Sequence, residues 1–274
     1  MNVRILPLTQ SSSFLSIASL GMAAALLLPA CNKTDSAEET AAPQVEELEE
    51  EKAPEKSHEL EVDTAATKVT FEMDAELEKI YGKAPESTSG SLHIIASDIE
   101  KTTGLFKIDL LQLTISQQKR ENAGDEFGEE VVNEKQNEHM RTWLQISEDG
   151  PKEQVLANRY VEFKIEKVKA QGDADLTKQA GAARKVDVEI TGSLRLHGRA
   201  TTHTFPAEAV FTFKGDEPSS VQVTTKKPLG VELEKHEVQP RSAFDILADK
   251  GLAALGAKVS KVAMVSLDLK AALK

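Results

Sequence analysis

Cysteine and histidine, the side chains most diagnostic of a metal centre, number seven in this 274-residue chain. They are Cys31 and the histidines His58, His93, His139, His197, His203 and His236. Their spacing does not assemble a metal set. No two histidines stand four apart, there is no His-Glu-x-x-His, and no second cysteine exists to build a thiolate cluster. His197 and His203 flank one turn, and the plain reading is a surface hairpin pair. Nucleophilic catalysis needs an activating base and a third group that orients it. Serines are plentiful, but no Gly-x-Ser-x-Gly elbow and no glycine-rich phosphate loop appears. The expectation is a protein that is not an enzyme and carries no cofactor or metal. Cys31 is different. A lone thiol cannot close an internal disulfide, and a free thiol in an exported protein is a liability.

What precedes Cys31 gives it a use. A start carrying only Arg4 leads into an apolar run over 14–28, 15 residues long. That is short of the roughly 20 residues that span a bilayer as a helix. A basic start, a short apolar core and small residues before a cleavage point are the parts of a secretory signal. The tetrad Leu28-Pro29-Ala30-Cys31 resembles the lipobox of bacterial lipoproteins, in which the thiol is acylated and becomes the new N-terminus. The resemblance implies a signal over 1–30 and a mature chain hung from a membrane by palmitate-type acyl chains at Cys31. Two or more such chains anchor stably where one does not. An ordinary cleaved signal, or an uncleaved anchor with an incidental thiol, is the alternative.

The charge has one address. Of the net −12, residues 35–63 hold twelve acids against Lys52 and Lys56, which leaves only −4 for residues 64–274. The segment 31–66 is rich in Glu, Ala and Pro and has no aromatic residue. It buries too little apolar surface to offset the entropy of ordering, so it is expected to be a disordered acidic tether. A transient helix over 45–56 is the competing reading. A negative tether also argues against nucleic acid as a partner.

Beyond residue 66 the dominant signal is period-2 alternation, the mark of half-buried strands. Val69, Phe71 and Met73 alternate with polar residues, as do Val161, Phe163 and Ile165. The same holds for Val186, Val188 and Ile190, continued by Leu194 and Leu196, and for Phe205 through Phe211 to Phe213. Leu229, Val231 and Leu233 form another such set, and Val265, Leu267 and Leu269 close the chain. Glu162 and Glu189 fall on the polar side and read as solvated outer-face charges. His197-Gly198-Arg199 reads as a turn. The phase changes within 105–115, from Phe106, Ile108 and Leu110 to Leu111, Leu113 and Ile115, which a bulge near Leu110 would explain. Short helices are expected over 139–146 and 244–255. Antiparallel strands with few helices leave a sandwich or a barrel.

The run Val188-Glu189-Ile190-Thr191-Gly192-Ser193-Leu194-Arg195-Leu196-His197-Gly198-Arg199-Ala200-Thr201 is similar to the I-x-G-x-L-x-L-x-G-x-T strand and turn of the YceI-like, polyisoprenoid-binding family. Tyr160 to Val168 resembles that family's Y-P-x-x-x-F-x-S-x-x-V segment, with Val161 where proline is expected. His139-Met140-Arg141 resembles its H-L-R helix start. The ending, from 244 to 269, is similar to its last helix and strand. The resemblance covers 69–269. A long polar insertion between 117 and 137, with Asp125, Glu126, Glu129 and Glu130, departs from it.

The resemblance implies an all-β fold over 67–274, an antiparallel eight-stranded lipocalin-like barrel with one or two short helices. It further implies an isoprenoid or similar lipid bound inside, against Phe71, Phe106, Ile108, Phe163, Ile190, Leu194, Phe211 and Val231. Two functions follow. One is a membrane-anchored lipid binder for storage, transport or sensing. The other is an adaptor with a filled barrel that holds a protein partner, whose identity the residues leave open. Asn32 is not the aspartate that retains lipoproteins at the inner membrane of enteric-type bacteria. The implied site is therefore the cell envelope, at the periplasmic face of the outer membrane, with surface display as an alternative.

Overall fold

The computed structural model describes residues 43–44, 46–239 and 260–273. Cys31, the signal over 1–30 and the helix expected over 244–255 lie outside the described residues. The described elements begin with strands β1 (His58–Val62), β2 (Lys68–Asp74), β3 (Glu78–Lys83), β4 (Thr88–Ile94), β5 (Thr103–Asp109), β6 (Thr114–Lys119) and β7 (Val131–Val132). Helices α1 (Glu134–Trp143) and α2 (Lys152–Asn158) follow. The chain then continues through β8 (Tyr160–Ala170), β9 (Ala183–Leu196), β10 (Arg199–Lys214), β11 (Glu217–Thr225), β12 (Leu229–Glu232) and β13 (Val262–Ala272).

All pairings are antiparallel, and they close a ring of eight: β1, β4, β5, β8, β9, β10, β11, β13 and back to β1. The closing pairs are Glu61 with Ala272 and Val62 with Ala271. Antiparallel closure leaves no free edge, which is how a sheet of this length avoids pairing with other chains. Four of the eight staves are broken midway. β1 and β2 run along one edge of β13, and β11 and β12 along the other. β3 and β4 form another broken stave, as do β5 and β6. The break between β5 and β6 is a 3-10 turn at Leu110–Gln112, capped by Asp109, whose carboxylate accepts the Leu111 N–H. The bulge expected near Leu110 is thus a full turn of helix, and the phase shift is the two half-strands meeting across it.

The first strand corrects the expected boundary of the tether. β1 lies within 31–66, and Leu60 on it is fully buried. Leu60 and Val62 set among acids look like linker, yet two paired neighbours, β4 and β13, satisfy the backbone of the strand. Upstream of β1 the chain also lies against the barrel. The Ala200 N–H donates to Pro43 O at 3.2 Å, and Leu48 N–H donates to Glu162 Oε2 at 2.8 Å. Glu47 pairs with Lys107 at 3.2 Å, and Glu50 accepts from Ser91 at 2.7 Å. The segment crosses the outer face as a strap.

Beneath the strap, Glu162 is 1 % exposed, not solvated as its place in the alternation suggests. The registers Lys107 with Glu162 and Glu162 with Arg195 set the three in a row across β5, β8 and β9. Lys107 Nζ lies 2.8 Å and Arg195 Nη1 3.8 Å from the carboxylate. Glu189, by contrast, is exposed.

One end of the barrel is packed. Ile99 and Leu176 plug it from facing loops tied by Ile99 N–H to Ala174 O (3.0 Å) and Leu176 N–H to Ala96 O (2.9 Å). At the other end β6 does not pair with β8, and α1 closes the gap. Asn137 on α1 is 1 % exposed; its Oδ1 accepts the Ile115 N–H at 2.7 Å and its Nδ2 donates to Ile115 O at 3.4 Å. One amide side chain thus stands in for a missing strand partner. Helix α1 begins five residues earlier than the helix expected over 139–146, because Asn133 caps it through the Lys135 N–H, and it ends at Trp143.

Candidate functional site

Between the plugged end and α1 the barrel is hollow. The cavity has a volume of about 200 Å³ and is walled by apolar side chains from nearly every stave. Met140, Trp143 and Leu144 of α1, together with Leu233 and Val238, line it at the unplugged end. Among the described residues, no Asp, Glu, Lys, Arg or His contributes to the wall. Such a wall does not hold ordered water, which needs polar partners. An unfilled cavity of this size costs roughly 5 kcal/mol against a close-packed core, at about 24 cal/mol per Å³.

Seven of the eight residues expected on the inner wall line this cavity: Phe71, Phe106, Ile108, Phe163, Ile190, Leu194 and Val231. Phe211 does not. It is buried in the plugged end with Phe213, Ala209 and Val221, so its place on the inner face was legible but its depth along the axis was not. Two of the cavity phenylalanines rest on glycines of the neighbouring strand. A Cβ on Gly82 would meet the Phe71 ring, and one on Gly192 would meet the Phe163 ring. Those glycines are the sequence signal that an aromatic ring crosses the adjacent backbone. Phe163 also packs against Phe205, ring centroids 5.7 Å apart.

Some residues that the expected set lacks lie outside the period-2 runs. Trp143, the single tryptophan, lines the cavity from the end of α1. Thr88, just after a break in a stave, lines it too. The lone tryptophan on a helix was the available clue.

A histidine network sits beside the unplugged end, and it is not a surface pair. The turn between β9 and β10 has His197 and Gly198 at φ of 53° and 73°, the two positive values a tight hairpin turn requires. His236, fully buried, approaches from the 3-10 turn Leu233–His236, whose Leu233 lines the cavity. Its Nδ1 lies 3.1 Å from Leu196 O and 3.0 Å from Arg199 O, so Nδ1 carries the proton. Its Nε2 then accepts from Thr201 Oγ1 at 3.1 Å, and Thr201 Oγ1 accepts from His203 Nε2 at 2.7 Å. His197 Nδ1 donates to His236 O at 3.1 Å. The acceptance at His236 Nε2 needs a neutral ring. Burial holds all three imidazoles below the usual histidine range, with Arg199 adding repulsion at His197 and His236 and Lys235 at His203.

A pH dependence follows from that depression. As pH falls through about 6.5 the unfolded chain takes up protons that the folded state refuses, so stability falls with pH. The melting temperature is expected to drop steadily from about pH 7.5 to pH 5, above the range in which carboxylates titrate. A His203→Gln variant should show a shallower slope. A flat profile in the parent protein would show that the imidazoles are solvated.

No protein-family model matches the chain, and no curated protein matches it in sequence. Among solved structures it is similar to a polyisoprenoid binding domain from Saccharophagus degradans implicated in plant cell wall breakdown, with a TM-score of 0.50 at 14 % identity. The match covers 78 % of this chain and 98 % of that one. At that identity the likeness speaks to architecture, and it agrees with the ring of eight staves traced above. The chain therefore has the closed antiparallel barrel fold of that binding domain.

Proposed function

We propose that this protein is an envelope lipoprotein whose barrel carries an isoprenoid or similar amphiphilic lipid. The observation that carries the reading is the apolar cavity, which the fold keeps open at a cost of several kcal/mol. Burying lipid methylenes returns about 0.8 kcal/mol each. Ten of them give roughly 8 kcal/mol before association costs, near micromolar affinity. The polyisoprenoid binding of the similar Saccharophagus degradans domain supports the same ligand class. The anchor in this reading is acylation at Cys31, which places the barrel at the periplasmic face of the outer membrane. No cofactor is required.

Purifying the full chain from native membranes in mild detergent, then extracting it with organic solvent, tests the proposal. A stoichiometric isoprenoid or acyl lipid in the extract is the expected result. An empty barrel that brings down a fixed protein partner would instead favour the adaptor reading. Trp143 offers a second readout, since the only tryptophan lines the cavity. Its emission is expected to shift when lipid is added to stripped protein.

A further inference from the structure

A short segment at the unplugged end is tied to the barrel through one titratable ring. Leu233 opens the 3-10 turn Leu233–His236 and Val238 follows it; both are buried and both line the cavity. The Leu233 N–H donates to Lys261 O at 2.9 Å, and the Val238 N–H folds back onto Leu233 O at 3.0 Å. Between these two stands His236, whose fully buried ring bonds to Leu196 of β9 and to Arg199 and Thr201 of β10. Glu237, directly after it, has a φ of 55°, left-handed backbone that a residue with a side chain adopts at a cost. Such strain persists only where the surrounding contacts hold it in place.

Among the described residues, the titratable and charged groups on the elements packed around this ring are few. Its own segment brings Glu232, Glu234, Lys235 and Glu237, the hairpin turn His197 and Arg199, β10 His203, and the chain before β13 Lys261. Six of them pair: Lys235 with Glu232 at 2.9 Å, Lys261 with Glu234, and Arg199 with Glu237. The two whose charge acts on the His236 ring are His197 and Arg199, and both oppose a proton there. Resting on the lipid-carrier reading above, we propose that segment 233–238 is a latch on the cavity, locked by His236 while its ring is neutral and released when the ring takes a proton, so that acid speeds exchange of the lipid. In the locked state Nε2 accepts the Thr201 hydroxyl at 3.1 Å. A protonated ring has no lone pair left to accept it. Thr201 Oγ1 already accepts from His203 Nε2, so it would then face two N–H groups. A buried cation beside Arg199 also carries a desolvation penalty that exposure to water relieves. Leu233 and Val238 flank His236 in the chain, so its withdrawal draws two side chains off the cavity wall.

The test loads the full chain in detergent with radiolabelled geranylgeraniol, a C20 isoprenoid alcohol. It then times displacement by excess unlabelled alcohol at about pH 7.5 and about pH 5.5, with circular dichroism following the fold. Exchange in the parent is expected to be roughly 10-fold faster at the lower pH, the gain in open population when one imidazole of ordinary pKa near 6.5 titrates only in the open form. His236→Gln should remove most of that acceleration. Thr201→Val should exchange several-fold faster than the parent at about pH 7.5, because the bond that acid breaks is already missing. Equal exchange rates at the two pH values would overturn the latch and leave the lipid carrier standing. So would equal acceleration in parent and His236→Gln, a parent that sheds its lipid only as it unfolds, or a Thr201→Val that exchanges like the parent at about pH 7.5. Failure of the alcohol to bind folded parent protein at about pH 7.5 would overturn both.

Discussion

Glu162→Ala is expected to destabilise the barrel by about 3–5 kcal/mol, the loss typical when one member of a buried ion pair is removed. The carboxylate is 1 % exposed, faces two cations, Lys107 and Arg195, and accepts the Leu48 N–H of the strap. The three contributions are unequal. The Lys107 side chain is about a third exposed, so water screens much of what it would lose. The Arg195 side chain is only 6 % exposed, so its contact with the carboxylate is screened less, and its Nη2 also donates to Ala157 O at 3.4 Å. The loss is therefore shared between the two cations, and the strap loses its bond to the sheet as well. Urea unfolding read by linear extrapolation measures it, with an unchanged slope showing that the folded state is the same. Glu189→Ala, on an exposed site of β9, should fall within about 0.5 kcal/mol of the parent. Glu162→Gln should lie between, since an amide oxygen still accepts the Leu48 N–H but pairs with neither cation. A loss under about 1 kcal/mol for Glu162→Ala would mean that the row Lys107, Glu162, Arg195 is solvated and the strap does not cover it.

The contrast between Glu162 and Glu189 shows how far residue pattern reaches. Alternation tells which face a side chain takes, because the pleat sends neighbours to opposite sides. It correctly puts Phe163 inward and Glu162 outward. What it lacks is any record of a second layer on the outer face. The strap over Glu162 is Glu- and Pro-rich, and its composition reads as solvated chain, so the burial of Glu162 could not be seen locally. The same limit explains β1. Its two apolar residues, Leu60 and Val62, make too short a run to carry a periodic signal, and the closing pairs with β13 join residues more than two hundred apart. Helix α1 fills the gap beside β6 through Asn137, a residue whose polarity hides its complete burial. In each case the missing information is a long-range partner.

Depth along the barrel axis is equally invisible to a period of two, and it separates two phenylalanines that look alike in sequence. Phe211→Ala opens a hole in the packed end and should cost about 3–5 kcal/mol, the usual range for deleting a buried ring. Phe163→Ala removes a ring that already faces empty space, so it forfeits fewer contacts and should cost roughly 2 kcal/mol. Ligand binding should reverse the order. A lipid at one hundred times its dissociation constant stabilises the folded state by about 2.7 kcal/mol. Phe211→Ala, buried away from the wall, should keep that increment in full while starting from a lower melting temperature. Phe163→Ala, less destabilised than Phe211→Ala, should lose part of it, because the wall it leaves no longer meets the lipid. Melting curves of the two variants with and without geranylgeraniol separate the two effects. Equal stability losses together with equal ligand shifts would mean that the barrel is filled around Phe163 as it is around Phe211, and that a lipid has no room there.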